Sequence, residues 1–168
     1  MHVLETDRLV LRRFTLDDAE FIFRLVNDPS WLRFIGDKNV RNLDDARRYL
    51  REGPLDMYQR YGFGMYRVEE RESGALAGMC GLIKRETLPD VDMGYAFLPE
   101  FRGNGYACEA AAAVLVHGNR EFALQRIVAI TTPSNDASIR VLEKAGMKFE
   151  RLMELTPGDP VNLFARQW

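Results

Sequence analysis

Apolar and polar residues alternate weakly from Leu9 to Phe14, the period of a half-buried strand. Thr15 then stands where a helix N-cap belongs, and Asp17 and Asp18 fall in a first turn whose dipole favours acidic side chains. Phe21, Ile22, Leu25 and Val26 give that helix a buried face, and Asn27-Asp28-Pro29 ends it, because a proline disfavours helix in the residue before it. From Ser30 to Asn42 no period holds, although Trp31, Phe34 and Ile35 are apolar; such residues in an irregular segment either plug the core or line a cleft. A second helix is expected from Asp44 to Glu52, with Ala46, Tyr49 and Leu50 inward. Gly53-Pro54 should break it before a continuation through Met57, Tyr58 and Tyr61.

Strands follow. Phe63 to Glu69 and Leu76 to Lys84 read as an antiparallel pair joined by the polar turn Arg71-Glu72-Ser73-Gly74, and Val91 to Leu98 is an apolar, aromatic run with the look of a buried strand. Ala107, Ala110, Ala111, Val114 and Leu115 recur at helical spacing, so a long amphipathic helix comes next. Arg126 to Ile130 is a strand, a helix opens near Asn135, and Phe149 to Leu155 and Val161 to Trp168 are strands joined by Thr156-Pro157-Gly158-Asp159-Pro160. No repeat, low-complexity tract or linker interrupts the series. The expected fold is a single α/β domain over residues 1–168 with a sheet of mixed direction.

The junction between the apolar run and the long helix carries the first chemical signal. A strand that ends in a glycine-rich turn and opens directly into a helix leaves several backbone N–H groups unpaired at the positive end of the helix dipole, a cradle suited to phosphate. A nucleoside-triphosphate loop would need a Lys-Ser/Thr pair that is missing here. A dinucleotide fingerprint would need a ribose-binding acid on the next strand, and Arg126-Ile127-Val128-Ala129-Ile130 has none.

Composition narrows the field without choosing within it. The 168 residues are 46% hydrophobic and 29% charged with a net charge of −2, which describes an ordinary globular protein. No basic tract or stretch of about 18 apolar residues points to nucleic acid or a membrane. The charged start, Met1 to Arg8, does not resemble a signal peptide, so a cytoplasmic protein is expected. Cys80 and Cys108 read as free thiols. His2 is expected in a disordered end and His117 on the surface, and with two histidines and no ligand spacing no metal site is expected.

The turn itself is more specific. Arg102-Gly103-Asn104-Gly105-Tyr106-Ala107 matches the Arg/Gln-x-x-Gly-x-Gly/Ala signature of the GNAT N-acetyltransferases. Thr6-Asp7-Arg8-Leu9-Val10-Leu11-Arg12 and the segment Asn135 to Met147 resemble the first strand and second cofactor motif of the branch that includes the ribosomal-protein N-terminal acetyltransferases. The three segments come in the family's order, and the resemblance covers essentially the whole chain.

That resemblance implies a GNAT fold with a mixed, mostly antiparallel central sheet flanked by helices, and acetyl-CoA as co-substrate without a metal. The pyrophosphate would rest on Arg102, Gly103, Asn104, Gly105, Tyr106 and Ala107. The N–H groups of Phe97 and Leu98 would polarise the thioester carbonyl, and Asn135 would reach the cofactor arm, although it is also a natural helix cap. Asp92 occupies the strand position where relatives carry a glutamate base, its shorter side chain calling for a water relay, with a purely hydrogen-bonded strand-end acid as its alternative reading and Asp90 as the understudy. Leu142 replaces the tyrosine that usually protonates the leaving thiolate, and Ser138 is the substitute, with a helix-capping role as its alternative. Trp31 and Phe34 fall in the region that covers the acceptor.

The implied activity is direct acetyl transfer, in a ternary complex, to an amine, either a small molecule or a protein N-terminus, by a monomer or homodimer. A polyamine, metabolite or antibiotic acetyltransferase and a non-catalytic acetyl-CoA sensor are the alternatives; Leu142 favours the sensor.

Overall fold

The computed structural model describes residues 1–168. The expected disorder at His2 gives way to a strand: β1 (His2–Glu5) pairs antiparallel with β2 (Leu9–Arg13), which satisfies backbone groups that would otherwise need water. Thr15 caps as its sequence context implies. Its side chain accepts the Asp17 N–H and Asp18 returns a bond to the Thr15 N–H, closing a capping box over a 3₁₀ turn (Leu16–Asp18) that leads into α1 (Ala19–Val26).

Two departures lie just beyond. Asn27-Asp28-Pro29 ends α1 but also starts α2 (Pro29–Phe34), with Asp28 as N-cap and Pro29 at the first helical position, where its missing N–H costs nothing. The Ser30 segment is therefore partly helical, which aperiodicity over one and a half turns could not reveal. Gly53-Pro54 does not break the next helix either. α3 (Leu43–Leu50) runs through a wide π turn (Arg51–Leu55), which absorbs Pro54, into α4 (Asp56–Tyr61).

The rest follows the pattern: β3 (Met65–Glu70), β4 (Leu76–Ile83), β5 (Asp92–Phe97), a 3₁₀ turn (Pro99–Phe101), α5 (Tyr106–Phe122), β6 (Arg126–Thr131), α6 (Asp136–Lys144), β7 (Lys148–Glu154) and β8 (Pro160–Gln167). One eight-stranded sheet has the order β1-β2-β3-β4-β5-β6-β8-β7, antiparallel throughout except at β5 and β6. It is a single α/β domain.

Helices cover both faces of the sheet. On one, Met93 and Phe97 of β5 pack with Ala110, Val114 and Leu115 of α5 and Leu142 of α6. On the other, Met65, Met79 and Leu98 pack with Phe21, Ile22 and Leu25 of α1, Trp31 of α2 and Leu50 of α3. Burying each such side chain contributes about 1.5–3 kcal/mol. His117 is half-buried rather than superficial, edge-on to Tyr66 and Phe122, with its pKa lowered by that burial.

Candidate active site

β5 and β6 meet only at Asp92 and Val128, where the Val128 N–H donates to Val91 O at 3.0 Å. Beyond that point they part, and a cleft of about 790 Å³ runs through the gap. Because successive side chains on a strand point to opposite faces, β5 serves both sides of it. Met93, Tyr95 and Phe97 face α5 and α6, whereas Asp92, Gly94 and Ala96 face α1 to α3; a Cβ on Gly94 would lie 3.8 Å from Ile83 and 4.0 Å from Met65.

The cradle forms where β5 ends. Gly103 and Gly105 adopt φ of +78° and +81°, a left-handed conformation that glycine takes without penalty. The N–H groups of Gly103, Asn104 and Gly105 donate to no protein acceptor, and those of Tyr106, Ala107 and Cys108, in the first turn of α5, have none within the helix. Six successive donors at a helix N-terminus, opening on a long cleft, fit a pyrophosphate and its pantetheine arm.

Asp92 sits at the narrow end of the gap, 1% exposed. Its Oδ2 accepts from Arg85 Nε at 2.9 Å, while Oδ1 is buried with no partner. Burial raises its pKa, and Arg85 opposes that rise without cancelling it. On the opposite face, Tyr95 Oη and Ser138 Oγ lie 2.6 Å apart. Burial pushes the Tyr95 phenol up to about 12, against the pull of its bond to Ser138, so it keeps its proton at neutral pH. Along β5, Asp92 and Tyr95 are about 10 Å apart.

Most of the sequence-derived candidates line this one cleft: Trp31, Phe34, Asp92, Phe97, Arg102, Gly103, Gly105, Tyr106, Ala107, Asn135 and Ser138. Leu98 does not. Its N–H is spent on Ala77 O at 2.9 Å and its side chain is 2% exposed in the core, so of the two expected carbonyl donors only Phe97, whose N–H the antiparallel alternation turns toward β6, faces the gap. Asn104 also lies outside the lining; its carbonyl accepts from Arg8 at 2.7 Å, which leaves it its N–H alone.

Several others act differently from the simplest expectation. The Arg102 guanidinium is committed to Asp28 at 2.6 Å, Ser30 at 3.2 Å and Phe97 O at 3.0 Å, so it braces the cradle rather than pointing at an anion. The Tyr106 phenol donates to Glu70 at 2.6 Å and lies under Arg8, so only its backbone serves. Asn135 accepts the Ser138 N–H at 3.2 Å as an N-cap. Trp31 is a core residue with one edge on the cleft, and its Nε1 is buried without an acceptor.

Tyr95 and Arg85 were missed from the sequence. Strand alternation alone puts Tyr95 opposite Asp92 and beside α6, a signal that was available. Arg85 follows β4 in a loop, and nothing local announces that it reaches Asp92.

The acetyltransferase (GNAT) domain family matches residues 8–148. The chain belongs to the GNAT acetyltransferases. A relative from Bacillus subtilis (strain 168), the uncharacterized N-acetyltransferase YoaA, is 31% identical over 90% of this chain and 85% of its own. Among solved GNAT structures, the acetyltransferase from Bacillus anthracis superimposes with a TM-score of 0.81 at 28% identity, covering 99% of this chain and 98% of that one. The ribosomal L7/L12 alpha-N-protein acetyltransferase RimL, in complex with coenzyme A, shares the fold with a TM-score of 0.85 at 22% identity, covering 99% and 98%. GNAT membership makes this chain an N-acetyltransferase and implies acetyl-CoA as the acyl donor. No helix is long and apolar enough to cross a membrane.

Proposed function

We propose that this cytoplasmic enzyme acetylates an amine by direct attack in a ternary complex, with acetyl-CoA bound through the cradle from Gly103 to Cys108 and the gap beside β5. Bound acetyl-CoA supplies the thioester whose acetyl group passes to the amine with release of the free thiol.

The observation that carries this reading is the division of labour across β5. Asp92 Oδ1, buried and without a partner, is an acceptor for the amine proton on the α1–α3 side. A carboxyl with a raised pKa is a better base than an ordinary one, and Arg85 holds it in place through Oδ2. On the α6 side, the Tyr95 and Ser138 hydroxyls keep two protons between them and offer one to negative charge that develops there. The Phe97 N–H faces the gap two residues beyond Tyr95 along β5.

The hydroxyl pair also weakens the sensor reading, which rested on Leu142. That side chain is 1% exposed in the core, and Ser138, one turn earlier on α6, shares a hydrogen bond with Tyr95 that supports a donor without Leu142. A protein N-terminus is one candidate acceptor, in keeping with the activity of RimL.

Acetyl-CoA-dependent thiol release near pH 8, measured against peptides, amino acids, polyamines and aminoglycosides with mass spectrometry of the products, tests the proposal. Acetylation of one class that is lost in Asp92→Asn supports it. Coenzyme A binding without release for any amine would sink it.

A further inference from the structure

The acceptor side of the cleft is cationic where a polyamine site would be acidic. The cleft as a whole is lined by five cations, Lys38, Arg85, Arg102, Arg140 and Lys144, against three carboxylates, Asp28, Asp92 and Asp159; Lys38 and Arg85 stand on the acceptor side, Arg102 in the brace, and Arg140 and Lys144 on α6. Asp28 is matched by Arg102 at 2.6 Å and Asp92 by Arg85 at 2.9 Å, and Asp159 belongs to the β7–β8 turn. Nearby acids are occupied as well: Asp37 pairs with Arg41 at 2.5 Å and Asp90 with Arg126 at 3.1 Å. No acidic cluster is left to attract a polycation.

The positive groups, in contrast, have capacity to spare. Lys38 pairs with no carboxylate, and the surrounding protein, then the charge of nearby Arg85, lower its pKa. Arg85 spends Nε on Asp92 and leaves both terminal nitrogens without a hydrogen bond. A separate observation points the same way: Trp31, 5% exposed, lines the cleft with a buried Nε1–H that has no acceptor, a donor whose burial is costly unless something accepts from it. Tyr49, whose phenol burial pushes up to about 12 despite the pull of Arg85, keeps its proton on the same side.

Building on the acetyl-transfer reading, we infer that the acceptor carries a carboxylate close to its amine, with the carboxylate received by Arg85, Lys38 and the Trp31 indole N–H while the amine meets Asp92. The Arg85–Asp92 pair presents a positive and a negative group side by side, the complement of a dipolar acceptor. Two sources have that chemistry: the α-carboxylate of a free amino acid, and an acidic side chain at the start of a peptide. A guanidinium edge and a carboxylate form a bidentate, charge-assisted pair, so the neutral amide of the same acceptor leaves those donors unmatched.

The test compares the common α-amino acids with their α-amides, peptides beginning Ser-Asp with those beginning Ser-Asn, and spermidine. It follows thiol release with acetyl-CoA and, separately, calorimetric binding to the protein saturated with coenzyme A. The expected result is an acid form favoured over its amide by about tenfold or more in kcat/KM, a preference that shrinks in Lys38→Gln and in Trp31→Phe. Preference among free acids identifies a metabolite acceptor, and preference for Ser-Asp a peptide. Amides or spermidine used as well as acids would overturn the inference and leave acetyl transfer standing. If no amine releases thiol, the acetyl-transfer reading fails, and equal binding of acid and amide then overturns the inference too.

Discussion

Arg102 Nη2 donates to Asp28 Oδ2 at 2.6 Å, and the same oxygen accepts the Ser30 N–H at 3.1 Å. One carboxylate thereby joins the turn that opens the cofactor cradle to the helix that carries Trp31 and Phe34. Asp28→Ala removes a helix cap and a pairing partner together, and is expected to cost about 1–2 kcal/mol in chemical denaturation. It should also raise KM for both acetyl-CoA and the amine. A change in KM for one substrate alone would show that the two halves are not joined through this residue.

Asp92 should give opposite signs for activity and stability. Its pKa in the folded protein is raised above the ordinary 3.8, so between that value and the native one the folded state holds more protons and stability falls as pH rises. Above the window the penalty is fully present. Asp92→Asn is therefore expected to melt at or above the parent at pH 7, with the advantage vanishing below about pH 4. Turnover should drop about a hundredfold or more, and the acidic limb of the kcat/KM profile should disappear. A variant that is less stable at pH 7 than the parent would mean that the Arg85 pairing outweighs the burial.

If Tyr95 and Ser138 share the donor role, they act as a unit. Tyr95→Phe and Ser138→Ala should each lower kcat by about tenfold or more with little change in acetyl-CoA affinity, and the double variant should be scarcely worse than either. Losses that multiply would assign the hydroxyls independent tasks.

Gly103 and Gly105 test the cradle. At φ of +78° and +81°, alanine costs roughly 1 kcal/mol in backbone strain at each position. A Cβ on Gly103 meets nothing within 4 Å, whereas one on Gly105 comes within 3.3 Å of Arg8. Both variants should fold and bind coenzyme A more weakly, Gly105→Ala more so; calorimetry showing unaltered affinity in both would remove the turn from phosphate binding.

The parts of this molecule that were legible in the sequence are those in which local pattern and tertiary role coincide. The turn at Gly103 and Gly105 announces itself because its backbone geometry demands glycine, and α5 because its buried face repeats at helical spacing. Leu98 misled because residue-level resemblance does not specify strand phase, and one step along β5 decides whether an N–H meets β4 or the gap. Arg85 and Lys38 were invisible because each comes from a loop that only the folded sheet brings to the cleft. The π turn at Pro54 was unreadable for a related reason: sequence marks the proline but not whether the packing around it will tolerate a widened turn.

β8 lies between β6 and β7 although it follows both in the chain. β6 meets β5 at a single residue pair, so its only extended ladder, like that of β7, is with β8. Residues 160–167 thus tie the C-terminal half of the sheet together: without that strand the wall of the cleft beyond Asp92 keeps no extended partner.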